Sequence, residues 1–264
     1  MLQQDYPLSF YEERRDGARR SAEVVVPLIL DLLAIRSVVD VGCGDGNWLV
    51  AFQAFGIQDV LGLDGDHISR DVLQVRQECF QSCDLRKPFL LGRTFDLAVS
   101  LEVAEHLPSE CAKGFVQSLT GLAPVVLFSA AIPFQGGCNH VNEQWPDKWT
   151  RLFEDQGYVL IDCVRKRIWN NEVVDWWYAQ NTLLFARTEL IENSARLRAE
   201  LEQTNKSQLC LVHPRQYLSL RARIPSPPPT PSWGVIGASR LLMSALANAF
   251  RKRVRLLVAR GTRL

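Results

Sequence analysis

Short apolar runs alternate with stretches of helical apolar spacing between residues 37 and 187. Strands that alternate with helices in this way predict an α/β fold with a doubly wound, mostly parallel sheet. The helix before the sixth run should begin near Pro146, a favoured first-turn position, and end at Gly157. Seven strands are expected, at 38–41, 60–64, a short apolar segment before Cys83, 95–101, 124–130, 158–163 and 182–186.

The two ends of the chain have a different pattern. Residues 6–33 carry apolar side chains at helical spacing and predict a helix that can cover a ligand site. After Arg187, residues 189–223 predict a charged helical extension and residues 224–232 a semi-rigid Pro-rich linker. Residues 233–264 are expected to form a basic, amphipathic and partly disordered tail.

The charge of the chain is segregated into that tail. Residues 232–264 contain seven Lys and Arg residues and no acid, so the remainder of a chain with net charge +1 carries −6. Leu242, Leu246, Phe250, Val254 and Leu257 recur among the basic residues at helical spacing. Such a helix could lie on an anionic membrane, dock on a protein partner or pack back on the domain.

A glycine turn follows the first predicted strand, in the run Val38-Val39-Asp40-Val41-Gly42-Cys43-Gly44-Asp45-Gly46-Asn47. Gly42, Gly44 and Gly46 allow a ligand to approach the backbone closely at a helix start. A dinucleotide fingerprint would need glycine where Asn47 stands, and Asp40 would repel a pyrophosphate. The turn therefore favours a cationic ligand.

Polar groups at the ends of the next strands complete this ligand site. Asp64 ends the second strand, where doubly wound folds hold a ribose, and Asp84 is placed to reach an adenine amino group. Leu85 and Leu101, beside the neighbouring strand ends, add apolar contacts.

The glycine turn and the strand-end residues that follow it, in this order, resemble those of the S-adenosylmethionine-dependent methyltransferases with a Rossmann-like fold. The resemblance spans roughly residues 5–188, so residues 1–188 are expected to form the methyltransferase domain. It implies that S-adenosylmethionine is the cofactor, bound by Asp40, the three glycines, Asp64, Asp84, Leu85 and Leu101. It also implies that the last strand enters the sheet antiparallel.

Composition agrees with one globular domain and an appendage, at 264 residues with 47% hydrophobic and 22% charged residues. The near-neutral charge does not favour nucleic-acid binding. No run reaches the ~18 to 20 apolar residues of a membrane span, and no signal peptide is evident, so a cytoplasmic protein is expected, with peripheral attachment to the inner face of the membrane through the tail. Seven scattered cysteines without a CxxC pair indicate neither a zinc knuckle nor a disulfide framework.

The acceptor side should lie at the ends of the fourth and fifth strands. His140, in the long loop after the fifth strand, is the preferred general base, since histidine titrates near neutral pH, although it could instead pin that loop. Glu105 and His106 form a second candidate catalytic pair, although similar Glu-His pairs in the resembled family often shape the site or cap the following helix. Some methyltransferases hold a divalent ion with a set of side chains that resembles Glu102, Glu105, His106 and His140. Because the same pattern is widespread in relatives without metal, the site is expected to contain no metal.

Five of the seven tryptophans fall between residues 145 and 177. With Tyr178 and nearby acids they could build a platform for a sugar ring, or some could fill the core. This region resembles bacterial methyltransferases of polysaccharide and glycan assembly, which implies a hydroxyl of a sugar or other small molecule as acceptor. Two alternatives stay open: a non-catalytic scaffold with the same fold, and a methyltransferase acting on a lipid-soluble, quinone-like acceptor.

Overall fold

A seven-stranded mixed sheet forms the centre of the molecule in the computed structural model, which describes residues 8–225, 239–240 and 242–249. The strand order is β3-β2-β1-β4-β5-β7-β6, and only β7 runs antiparallel to its neighbours. The predicted doubly wound α/β fold and the antiparallel last strand are confirmed. The strands are β1 Ser37–Val41, β2 Asp59–Asp64, β3 Phe80–Ser82, β4 Leu97–Leu101, β5 Val125–Ser129, β6 Tyr158–Ile161 and β7 Leu183–Arg187.

Helices cover both faces of the sheet. Successive strand residues point to opposite faces, so Val38 packs with α1 and α2 while Val39 packs with α3 and α4. Every residue of β4 and β5 is buried, as expected for central parallel strands covered on both sides. The helices are α1 Leu8–Leu32, α2 Asn47–Ala54, α3 Ala112–Leu122, α4 Pro146–Glu154, α5 Arg165–Ile168, α6 Trp176–Asn181, α7 Thr188–Glu192, α8 Ala195–Glu202 and α9 Pro214–Arg223.

An aromatic cluster fills the space between α4 and the sheet. Trp149 is only 2% exposed and packs on Phe128, whose ring centroid lies 5.2 Å away. Phe153 stacks on Phe185 at 3.9 Å. Trp149 is therefore one of the tryptophans that fill the core and does not belong to a sugar platform, because the apolar face of α4 turns it toward the sheet.

The predicted helical extension is three helices, α7, α8 and α9. Leu197 of α8 is fully buried. The buried guanidinium of Arg165 pairs with Asp162 at 2.5 Å and donates to the carbonyl of Leu209 at 2.8 Å. These contacts hold the extension on the domain.

Residues 223–264 form a second compact unit. Within it, residues 242–249 are helical, and Leu242, Met243 and Leu246 are exposed. Most of the predicted linker and tail, including Phe250, Val254 and Leu257, lies outside the described residues, so the expected partial disorder stays a prediction. No helix in the described part of the chain has the length and apolar character needed to cross a membrane.

Candidate active site

The glycine turn joins β1 to α2 and places its three glycines in left-handed backbone conformations. Gly42, Gly44 and Gly46 have φ angles of +85°, +54° and +92°. A β-carbon on Gly42 would collide with the side chain of Val103, whereas a β-carbon on Gly44 would meet no atom within 4 Å. Gly42 is thus required by packing, and Gly44 leaves open space in front of the turn where a ligand can approach.

Asp64, at the end of β2, lies directly beside this turn. Its carboxylate accepts hydrogen bonds from the backbone amides of Gly44 and Gly65, each at 2.7 Å. Carboxylate oxygens can accept further bonds, so Asp64 can hold the turn in place and still receive hydroxyl groups of a ligand. The structure brings together the glycines and the acid that the sequence assigned to one site.

Asp40 was expected to present a carboxylate that repels a pyrophosphate and favours a cationic ligand. It lies inside β1 and is only 3% exposed. Burial, together with the charge of Asp64, raises the pKa of Asp40 to about 8. At neutral pH the Asp40 side chain is therefore largely protonated and uncharged. It would attract a cationic ligand only after losing this proton.

Asp84 follows β3 and forms ion pairs with neighbouring basic residues. Its carboxylate accepts two bonds from the guanidinium of Arg86, at 2.7 and 3.1 Å, and lies 3.5 Å from Nζ of Lys87. The Arg86 hydrogen bond lowers the pKa of Asp84 to about 2. An adenine contact would have to share this carboxylate with Arg86. Leu85 and Leu101 are both buried near the strand ends.

A strained residue follows β4. Glu102 has a φ of +56°, a conformation that costs energy for a residue with a side chain. Its amide bonds to Ser129, and its carboxylate accepts from Nε2 of Gln135 at 2.8 Å and Nδ2 of Asn181 at 3.0 Å. Burial raises the pKa of Glu102. This end of the sheet is held in one conformation by amide side chains.

Those amides belong to a buried network that sequence reasoning missed. Gln180 donates to the side-chain oxygens of Gln135, at 3.1 Å, and Gln216, at 2.6 Å. Gln180 also accepts from the backbone amide of His213 at 2.7 Å. The only sequence signal was the occurrence of Gln180 and Asn181 among aromatic residues, and that signal did not reveal the contact with Glu102.

Glu105, His106 and His140 converge at the edge of the sheet, although 34 residues separate the two histidines. One nitrogen or oxygen from each residue lies within 4.8 Å of those from the other two. The two imidazole rings are nearly perpendicular, with centroids 4.9 Å apart. Glu105 is completely buried, and no side chain in the described part of the chain forms a hydrogen bond with its carboxylate oxygens. Burial, reinforced by the charge of Glu102, holds the pKa of Glu105 well above its ordinary value.

His140 is held in position by its own loop. Its Nδ1 lies 2.9 Å from Oε1 of Glu143, and Glu143 also accepts from the amides of Phe134 and Gly136. A β-carbon on Gly137 would collide with Nε2 of His140. The loop after β5 is therefore built around this imidazole, and the amides of Val141 and Asn142 tie it to the carbonyl of Glu105.

Of the remaining aromatic residues in the predicted platform, Trp169 and Trp176 line a cavity. Tyr178 is buried and packs edge-on against Trp48, with ring centroids 5.2 Å apart. Trp145 is partly exposed. That cavity has a volume of about 330 Å³, and its lining also includes Asn170, Glu172 and His213 but no residue of the Glu105, His106 and His140 cluster.

Comparison with known proteins agrees with this geometry. Residues 11–192 match the model of a family described as a methyltransferase domain. No curated protein matches the chain.

Among solved structures, the amino pentose methyltransferase of Micromonospora echinaspora involved in calicheamicin biosynthesis, with bound S-adenosylmethionine, is 16% identical. The match covers 71% of this chain and all of that one, with a TM-score of 0.50. The magnesium protoporphyrin IX methyltransferase of Synechocystis PCC 6803 is 19% identical over 71% of this chain and 90% of its own, with a TM-score of 0.47.

Proposed function

Because the chain belongs to the methyltransferase-domain family, we propose that it transfers a methyl group from S-adenosylmethionine to a hydroxyl of a sugar or another small molecule used in glycan assembly. The observation that carries the acceptor chemistry is the convergence of Glu105, His106 and His140 at the carboxyl edge of β4 and β5. Ligand sites of open α/β sheets lie at this edge.

S-adenosylmethionine is the cofactor, and it supplies an electrophilic methyl group on a sulfonium. The residues present fit it, because Gly44 leaves open space and Asp64 lies beside the turn with a carboxylate able to accept hydroxyl groups. The turn at Gly42, Gly44 and Gly46 would hold the cofactor together with Asp64. Leu85 and Leu101 offer apolar surface nearby.

The protein's own task is to align the acceptor oxygen and to remove its proton. A hydroxyl is a weak nucleophile, and a positioned base contributes roughly 10² to 10⁴-fold to such a reaction. His140 is the leading proton acceptor, because Glu143 fixes its Nδ1 and thereby orients the ring, in the way that a carboxylate orients a catalytic histidine. His106 and Glu105 are its immediate neighbours.

A sugar acceptor is supported by the aromatic and polar groups around α6. Aromatic faces contact the apolar side of a pyranose, and amide and carboxylate groups receive its hydroxyls. Trp169 and Trp176 line a cavity with Asn170 and Glu172. The amino pentose methyltransferase described above acts on a related class of acceptor, although its likeness to this chain is one of fold alone.

Incubation with labelled S-adenosylmethionine and extracts containing nucleotide sugars or lipid-linked glycans, followed by identification of the labelled product, tests this proposal. A methylated sugar hydroxyl is expected. Label found in a quinone precursor would replace the sugar with a lipid-soluble acceptor. Cofactor binding without transfer to any fraction would favour the scaffold alternative.

A further inference from the structure

Phe134 combines two features that each cost a protein stability. It lies in the loop after β5, where the amide of Gln135 donates to the carbonyl of Ile132 at 3.0 Å and closes a four-residue turn. Phe134 is the third residue of this turn and has a φ of +68°, a left-handed value that glycine adopts without strain and that is a steric outlier for a bulky side chain. Its side chain is also 76% exposed, so burial of the ring does not compensate for the strain.

The strained turn is joined to the proposed general base through one carboxylate. Oε2 of Glu143 accepts from the amide of Phe134 at 2.8 Å, and Oε1 of the same carboxylate lies 2.9 Å from Nδ1 of His140. Because both interactions end on one planar group, the backbone of Phe134 and the ring of His140 are held close together. The turn therefore lies at the acceptor side of the site.

The residue after Phe134 fixes the turn from inside the protein. Gln135 is buried, its Nε2 donates to Glu102 at 2.8 Å, and its Oε1 accepts from Gln180 at 3.1 Å and from Asn181 at 2.9 Å. Strained backbone persists where the surrounding structure holds it from several sides, and such residues cluster at functional sites. The anchored Gln135 thus keeps the neighbouring ring of Phe134 on the surface.

Val141 adds a second exposed apolar side chain to the same loop. It follows His140 directly, is 64% exposed, and its amide donates to the carbonyl of Glu105 at 2.8 Å. Small-molecule sites combine apolar walls with a few polar groups that fix orientation. At this edge of the sheet Phe134 and Val141 supply apolar surface, and the imidazole of His140 supplies a polar group.

We propose that Phe134 contacts the acceptor: its ring packs against the apolar face of the sugar whose hydroxyl loses its proton to His140, and Val141 makes a second apolar contact. Phe134 determines which acceptors bind and takes no part in the transfer of the proton or of the methyl group. Glycine would relieve the strain of the turn but would remove the ring, so the strain is retained for binding. This role rests on the proposed function.

Methyl transfer from labelled S-adenosylmethionine, measured at increasing concentrations of the extract that contains nucleotide sugars or lipid-linked glycans, tests this role. Phe134→Gly should raise the half-saturating concentration of the extract about five- to tenfold, since it removes an aromatic contact. The plateau rate and the affinity for S-adenosylmethionine, measured by calorimetry, should stay near those of the wild type. Phe134→Tyr keeps the aromatic face and should restore half-saturation at the wild-type concentration.

Phe55→Gly is the matched control. Phe55 is also exposed, but it follows α2 at the end away from the glycine turn and has an ordinary φ of −92°. Its replacement should leave half-saturation unchanged and lower the midpoint of thermal unfolding, because glycine there only adds freedom to the unfolded chain. Phe134→Gly should unfold at or above the wild-type midpoint, because glycine accepts the left-handed conformation.

Two results would overturn the role of Phe134 alone: label transfer with unchanged half-saturation in Phe134→Gly, or a lower unfolding midpoint in that variant, which would show that the ring packs the loop. A wild type that labels no component of the extract would overturn the proposed function and this role together. A raised half-saturating concentration at an undiminished midpoint and plateau rate would support the contact.

Discussion

The carboxylate of Asp64 accepts a hydrogen bond from the backbone amide of Gly44, 20 residues earlier, at 2.7 Å. This bond joins the end of β2 to the glycine turn that follows β1. The same side chain can therefore set the conformation of the turn and receive ribose hydroxyls. Loss of Asp64 should disturb both functions together.

Asp64→Ala should weaken the binding of S-adenosylmethionine and of its demethylated product. A hydrogen bond to a charged group contributes roughly 1.5 to 3 kcal/mol, so the loss of one predicts an affinity about ten- to hundredfold lower. Isothermal titration calorimetry measures this directly. Asp71→Asn, at an exposed position beyond β2, should retain wild-type affinity. Unchanged affinity in a folded Asp64→Ala protein would refute the ribose assignment.

Gly44→Ala should abolish most cofactor binding, because its β-carbon would occupy the open space in front of the turn. Gly157→Ala is a matched control. Gly157 also has a positive φ, +78°, and open space around its missing β-carbon, but it precedes β6 at the opposite edge of the sheet. Both substitutions should cost about 1 to 2 kcal/mol of stability from left-handed strain. Only Gly44→Ala should lose binding in calorimetry; equal losses in both variants would indicate general destabilisation.

The sheet was predictable because its signals are local. The central strands are apolar runs, and the helix predicted to begin near Pro146 does begin there, although it ends at Glu154, three residues before the predicted end at Gly157. The extension after β7 was harder to predict. Its attachment depends on the buried Arg165, which donates a hydrogen bond to the carbonyl of Leu209, a residue 44 positions further along the chain. No local sequence pattern predicts such a contact.

The site was predictable where it depends on strand ends and not where it depends on tertiary contacts. The convergence of Asp64 with the glycine turn follows from the parallel order of β1 and β2. Asp40 is buried because helices cover its face of the sheet. The hydrogen bonds from Gln135 and Asn181 to Glu102 form because β7 enters the sheet beside β5. The spacing of residues in the sequence predicts neither the burial of Asp40 nor the hydrogen bonds to Glu102.

His140→Gln should lower turnover by about 10² to 10⁴-fold while cofactor affinity stays near that of the wild type, because His140 lies on the acceptor side and not at the glycine turn. Single-turnover rates with saturating S-adenosylmethionine, alongside calorimetry, separate the two effects. Glu143→Gln should give a smaller loss, since it removes only the group that orients the ring. A parallel fall in cofactor affinity would instead show that His140 holds the loop.

Asp40→Asn should change how stability depends on pH. Asp40 keeps its proton in the folded protein up to a pKa of about 8, whereas an unfolded aspartate loses it near pH 3.9. Between these values the unfolded state binds fewer protons, so this group makes the free energy of unfolding fall as pH rises, by up to about 1.4 kcal/mol per unit.

Urea unfolding at pH 5 and pH 7.5 should therefore show the Asp40→Asn variant gaining stability relative to the wild type as pH rises. Asp16→Asn, at an exposed position on α1, should follow the wild type. Parallel pH profiles for Asp40→Asn and the wild type would mean that Asp40 is ionised in the folded protein.

Removal of residues 224–264 should abolish binding to anionic vesicles and leave cofactor binding intact. We propose that this segment attaches to a membrane surface, because residues 232–264 carry seven basic and no acidic residues and the exposed Leu242, Met243 and Leu246 lie on one short helix. Each basic residue at such a surface contributes about 1 kcal/mol, so co-sedimentation should be strong at low salt and weak at high salt.

All seven strands precede the cut, and residues 1–222 form their own compact unit, so the truncated protein should fold. Equal sedimentation of both forms would locate the membrane contact elsewhere, and unfolding on truncation would mean that the tail packs on the domain.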